Sequence, residues 1–91
     1  LRTSSDVPSS AIRKYHRQNL RMASEKIELI PVEKREYTSI TMAINPKNIP
    51  EAKKLMTDFK RKLCALLQKG DAEEVYTFSA QLFPVSQTKE D

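Results

Sequence analysis

The chain has 91 residues, 38% of them hydrophobic, with a mean hydropathy of −0.61 and a formal net charge of +4. This length allows one small domain with a thin core; the single cysteine excludes an internal disulfide, and the sequence has no Cys/His cluster for structural zinc. Because a thin core without a disulfide or zinc needs another source of stability, we expect a protein stabilised by a partner, most simply a second copy. No segment approaches the roughly 20 apolar residues of a membrane span, so we expect no membrane contact.

The first nine residues are polar, include Pro8 and show no periodicity, which predicts a linker. The chain begins with Leu1 and has no pattern of a signal peptide, and a lone thiol suits a reducing compartment. We therefore expect a segment of a longer cytoplasmic protein.

A first helix is predicted over residues 10–29. Ser9 or Ser10 can cap its N-terminus through the side-chain hydroxyl, and Pro31 predicts its end because the residue before a proline avoids the helical region. Its apolar stripe recurs at helical spacing through Ile12, Tyr15, His16, Leu20, Ala23, Ile27 and Ile30.

A second helix is predicted over residues 48–69. Asn48, with Glu51 three residues on, forms a near capping box, and Gly70 stands where a left-handed residue ends a helix. The apolar side chains of this helix form an unbroken stripe, namely Ala52, Leu55, Met56, Phe59, Leu63, Leu66 and Leu67.

Two predicted strands flank the second helix. Residues 36–44 and 75–83 alternate between two sets of side chains with the period of two of a β-strand. The short links to the helix would make the two strands parallel, in a right-handed crossover. The side chains expected to face the helix are Ile40, Met42, Ile44, Tyr76, Phe78 and Leu82.

The predicted fold is therefore α+β: an N-terminal helix followed by a strand–helix–strand unit, in a single domain over residues 10–84 with a flexible tail over residues 85–91. Because two strands make a marginal sheet, we expect dimerisation to complete a larger one. The opposite face of the sheet is the predicted interface, carried by Tyr37, Thr41, Val75, Gln81 and Phe83.

The sequence predicts no catalytic residue, cofactor or metal site. His16, the only histidine, is either a structural residue or a general base or metal ligand whose second polar partner is not identifiable. Cys64 flanks the apolar stripe, which predicts a buried and unreactive thiol. The basic side chains of both helices are either solvated or contact nucleic acid; the candidates for that contact are Arg13, Lys14, Arg17, Arg21, Lys53, Lys54, Lys60 and Arg61.

Several segments resemble, in their order, the C-terminal domain of a bacterial family described as putative transcription regulators of unknown function. The segments are Tyr15–Gln18 with Ala23, then Arg35–Thr41, a helix containing Phe59, Val75-Tyr76 and Gln81–Pro84. Asn19 departs from the pattern, because an apolar residue is usual there. The resemblance implies DNA-linked regulation, with a helix-turn-helix-like region upstream of this chain and no catalytic residue.

We expect a non-enzymatic domain that serves dimerisation or effector sensing in a cytoplasmic bacterial transcription regulator. Its expected partners are a second copy, DNA through the upstream region, and an effector of unknown identity. The alternative is direct nucleic-acid binding through the basic faces of the helices.

Overall fold

The computed structural model describes residues 9–86. Two α-helices, α1 (Ser10–Lys26) and α2 (Ile49–Leu67), account for most of the regular structure in that range. Two short 3₁₀ turns, Val32–Lys34 and Pro46–Asn48, complete it. The linker and tail predicted at the two ends of the chain lie almost wholly outside the described residues.

The chain divides into two compact units, each with one α-helix. In the described part of the chain, residues 9–36 and 76–86 form the unit that contains α1. Tyr37–Val75 forms the unit that contains α2.

Helix α1 begins where the sequence predicts. Ser9 has an extended backbone, and its side-chain oxygen accepts a hydrogen bond from the amide of Ile12 at 3.3 Å, which satisfies one orphan donor of the first turn. The helix ends at Lys26, three residues before the predicted boundary, and the amide of Ile30 still bonds to the Lys26 carbonyl at 3.1 Å. The cation of Lys26 in the last turn favours this end of the helix dipole.

The side-chain capping bond before α2 belongs to the preceding 3₁₀ turn and not to the N-cap residue of α2, Asn48. Asn48 makes no side-chain capping bond, so the predicted capping box is wrong. Asn45 instead accepts a hydrogen bond from the amide of Lys47 at 3.0 Å, and its carbonyl accepts one from the amide of Asn48 at 3.0 Å. The 3₁₀ turn therefore presets the entry to α2. At the other end, Gly70 has φ +80°, which confirms the predicted left-handed glycine.

The predicted α+β fold is wrong, because the described residues form two α-helices and no β-strand. Residues 35–45 and 71–85, which include both predicted strands, are irregular. The two-stranded sheet, and the larger sheet that dimerisation was expected to complete, are therefore not part of this fold.

The exposure of the predicted helix-facing side chains gives the physical reason. Ile40 is 74% exposed, and Met42 and Ile44 are more than half exposed. Pairing two strands costs backbone entropy of roughly 1–2 kcal/mol per residue, which apolar burial must offset. Alternation of side chains therefore predicts a strand only where other strands or a packed layer supply that burial.

The capping arrangement of the 3₁₀ turn before α2 can be tested with two matched substitutions. Asn45→Ala removes the acceptor for the Lys47 amide, so we expect a loss of about 0.5–1 kcal/mol in the free energy of unfolding. Asn48→Ala removes no side-chain hydrogen bond and should change that free energy by only a few tenths of a kcal/mol. Urea unfolding followed by circular dichroism measures both; an equal loss for the two variants would contradict the assignment.

Candidate interaction surfaces

The apolar stripe of α2 is the largest continuous hydrophobic feature of the described helices. Ala52, Met56 and Leu63 are half-buried along its centre and one side, and Ile49 in the first turn of α2 is half-buried on that same side. Along the other edge, Leu55 is 71% exposed and Leu66 is 60% exposed. Helix geometry places all of the stripe within an arc of about 120°, so its exposed side chains form one surface.

The five predicted interface residues are exposed, but no sheet face brings them together. Val75 is 99% exposed, and Tyr37 and Phe83 are also exposed. Tyr37, Thr41 and Val75 belong to the unit that contains α2, whereas Gln81 and Phe83 belong to the unit that contains α1. The Gln81 amide nitrogen donates a hydrogen bond to the Ser79 hydroxyl at 3.2 Å. Their role at an interface stays a prediction.

The basic side chains of α1 line an open groove of about 460 Å³. Its lining residues all come from α1, namely Ser10, Ala11, Lys14, Arg17, Gln18 and Arg21. Arg13 adjoins this face of the helix and is also exposed. Four of the eight predicted nucleic-acid contacts therefore lie together on one helix.

The other four predicted contacts lie on α2 in a mixed electrostatic setting. A groove of about 390 Å³ is lined by Lys53, Lys54, Thr57, Asp58 and Arg61. The Arg61 guanidinium donates a hydrogen bond to the Asp58 carboxylate at 2.9 Å, one helical turn away. This carboxylate offsets part of the positive charge of α2. Lys60 is exposed on the same helix but does not line the groove.

His16 and Cys64 are both exposed. The His16 ring lies 5.9 Å from that of Tyr15, tilted by 52°. Cys64 is a free cysteine on the surface of α2, so the prediction of a buried thiol is wrong. By helix geometry it lies about 100° around the helix from Leu63 and about 120° from the centre of the apolar stripe. In the described part of the chain, no group of three or more His, Cys, Asp or Glu side chains is placed to hold a metal ion.

A hydrogen bond that the sequence did not predict links two distant segments of the unit that contains α1. The Tyr76 hydroxyl donates to the Lys34 carbonyl at 2.8 Å, across 42 residues of sequence. Close by in the sequence, the Arg35 side chain donates to the Ile30 carbonyl at 2.9 Å and closes the turn after α1. Apolar periodicity assigned Tyr76 to a sheet face and carries no signal for a hydroxyl bond to a distant backbone carbonyl.

Comparisons with known proteins place the chain in a family without an assigned function. The model of a family described as a domain of unknown function (DUF4423) matches residues 1–85. No curated protein and no solved structure is significantly similar to the chain. Neither of the two described α-helices combines the length and the apolar character that crossing a bilayer requires.

The Tyr76–Lys34 hydrogen bond can be tested by removing one hydroxyl. Tyr76→Phe keeps the ring but removes the donor, so we expect the amide resonance of Arg35, which shares a peptide unit with the Lys34 carbonyl, to shift in the ¹H–¹⁵N spectrum. Tyr15→Phe is the matched control, because the Tyr15 hydroxyl makes no hydrogen bond with the described residues. An Arg35 amide that Tyr76→Phe leaves unmoved would contradict the bond.

Proposed function

The chain belongs to the DUF4423 family of domains of unknown function, and we propose that it is a non-enzymatic dimerisation domain of a cytoplasmic bacterial transcription regulator. The observation that carries the dimerisation proposal is the exposed apolar stripe of α2. The regulatory role is supported by the ordered resemblance of its segments to the C-terminal domain of putative transcription regulators.

Apolar burial is what the described residues lack. None of them is buried, and large apolar side chains such as Leu55 and Leu66 remain mostly in water. Fully burying a leucine side chain stabilises a protein by about 1.5–3 kcal/mol. A partner that covers the stripe of α2 would therefore provide much of the stability that the described residues do not obtain from a core of their own.

The spacing of the stripe favours a second copy as that partner. Ala52, Met56, Phe59, Leu63 and Leu66 are separated by alternating steps of four and three residues, the spacing of paired helices. In an antiparallel pair centred near Phe59, Ala52 would oppose Leu66 and Met56 would oppose Leu63. A small residue would thus face a large one at each end, and a two-fold axis would satisfy both copies at once.

The biological setting of this dimer is part of the proposal. A two-fold domain would space two DNA-binding units, carried by a helix-turn-helix-like region upstream, to match a two-fold operator. The cytoplasm is supported by the exposed free thiol of Cys64, because exposed thiols stay reduced there.

Effector sensing has less support than dimerisation. A small-molecule site is typically concave and mostly apolar and buries most of its ligand. The grooves on α1 and α2 are open and lined mainly by charged and polar side chains, such as Lys14, Arg17, Lys53 and Asp58. The surfaces of the helices suit macromolecular partners better than an enclosed effector.

The dimer proposal is tested by sedimentation equilibrium at micromolar concentration. The wild-type chain should sediment as a dimer. Leu66→Gln removes one apolar side chain per copy from the pairing positions and should weaken association by about 3 kcal/mol per dimer, or roughly 100-fold in Kd.

The matched control is Leu29→Gln, because Leu29 is also a mostly exposed leucine, 72% exposed against 60% for Leu66, but lies outside α2. This variant should dimerise like the wild type. A well-folded wild-type monomer would contradict the dimer, and an equal effect of both variants would contradict the placement of the interface on α2.

A further inference from the structure

The positive side chains of α1 share one face of the helix. Arg13, Lys14, Arg17 and Arg21 project within an arc of about 100°, given 100° of rotation per residue. Arg13, Arg17 and Arg21 follow one another at intervals of about 6 Å along the axis, because the helix rises 1.5 Å per residue. The face defined by these four residues, called here the α1 basic face, is about 12 Å long.

No acidic side chain neutralises the α1 basic face along the helix. The first 15 residues of α1 contain no Asp or Glu, and Glu25 is the only acid in the helix. None of the four cations forms a hydrogen bond or an ion pair with the described residues. On α2, by contrast, Arg61 is paired with Asp58 at 2.9 Å. Of the two basic helices, α1 therefore presents the stronger unneutralised positive field.

The α1 basic face also points away from the apolar side of its own helix. Ile12, Asn19 and Ala23 are half-buried, and on average they lie about 150° around the helix from the centre of the basic face. A segment that packs against those residues leaves the basic face in water. The groove on the basic face is lined by α1 residues alone, so no other described segment covers it.

The geometry points to the α1 basic face as a binding surface for the phosphate backbone of duplex DNA. Four cations that pair with none of the described side chains, three of them in one row along a rigid helix, can contact successive phosphates. Phosphate contacts supply most of the sequence-independent affinity for DNA. Three of the four are arginines, whose planar guanidinium donates two parallel hydrogen bonds to a phosphate. This surface lies on α1 and is independent of the dimer proposed through α2.

Other polyanionic partners fit the α1 basic face less well. Single-stranded nucleic acid is usually held by aromatic side chains on which bases stack, and Tyr15 lies about 100° around the helix from Lys14, outside the basic arc. An anionic membrane surface is bound by helices whose opposite face inserts large apolar side chains. The half-buried part of the opposite face of α1 consists of Ile12, Asn19 and Ala23, of which only Ile12 is a large apolar side chain.

The test is fluorescence anisotropy of a labelled 20-base-pair DNA duplex titrated with the full 91-residue chain between 50 and 200 mM salt. Four phosphate contacts predict a slope of log Kobs against log salt near −3.6, which is a loss of affinity of about 150-fold over this range. The variant Lys14→Gln/Arg17→Gln/Arg21→Gln should reduce the slope by about 2.7.

The matched control is Lys54→Gln/Lys60→Gln/Lys62→Gln on α2, which removes the same number of charges and should keep the wild-type slope. Circular dichroism verifies that both variants retain the wild-type helix content. Absence of duplex binding by the wild type, or equal losses in the two variants, would overturn the proposal. Tighter binding to vesicles containing phosphatidylserine, or to a single strand of the same sequence, would also overturn it and would identify the other class of partner.

Discussion

The main constraint on the described part of this chain is that much of the apolar stripe of α2 remains in contact with water. A helix of 19 residues is only marginally stable alone in water, because nucleation is costly and each further residue adds little. Most helices in proteins gain their stability by burying one face. In α2 that face includes leucines that are more than half exposed, so the stability of the helix is tied to whatever covers Leu55 and Leu66.

The two helices present different chemistry to their surroundings. Helix α1 has five cations and one acid, with its basic face opposite a narrow half-buried side centred on Asn19 and Ala23. Helix α2 has a broad apolar stripe, and its charges include the Asp58–Arg61 pair. This division suits two separate tasks, protein association through α2 and polyanion contact through α1. Both tasks are proposals, and substitutions on one helix should remove one of them and leave the surface of the other helix intact.

Both helices could be predicted from the sequence because their signals are local. Apolar residues at steps of three and four, Ser9 before the first turn and Gly70 after the last turn of α2 depend on neighbours within a few residues. The capping box predicted at Asn48 is wrong, because the Lys47 amide donates instead to the side chain of Asn45, at the start of the 3₁₀ turn before the helix. The spacing of Asn48 and Glu51 does not reveal that such a turn precedes the helix.

The sequence predicted a sheet that the described residues do not form, because strand formation depends on non-local partners. Ile40, Met42 and Ile44 alternate as strand residues do, but alternation does not reveal whether another strand and a packed layer are present. The same reason explains the error at Cys64, whose burial was inferred from a stripe that remains partly in water. The candidate surfaces followed charge and apolar patterns along each helix, so the α1 basic face could be predicted as a set of residues. That none of its cations pairs with an acidic side chain of residues 9–86 became clear only from the contacts.

The pairing of α2 with a second copy is the central proposal for this chain, and a distance between spin labels tests the pairing most directly. In the antiparallel pair centred near Phe59, a label at Lys60→Cys in a Cys64→Ser background lies close to the two-fold axis. The two labels should therefore approach within about 15 Å, since paired helix axes are 8–10 Å apart. A label at Lys53→Cys, on the same side of the helix, should be offset from its mate by about 19 Å along the axis and give a clearly longer distance. Absence of dipolar coupling at position 60, or a shorter distance at position 53 than at position 60, would contradict the pairing.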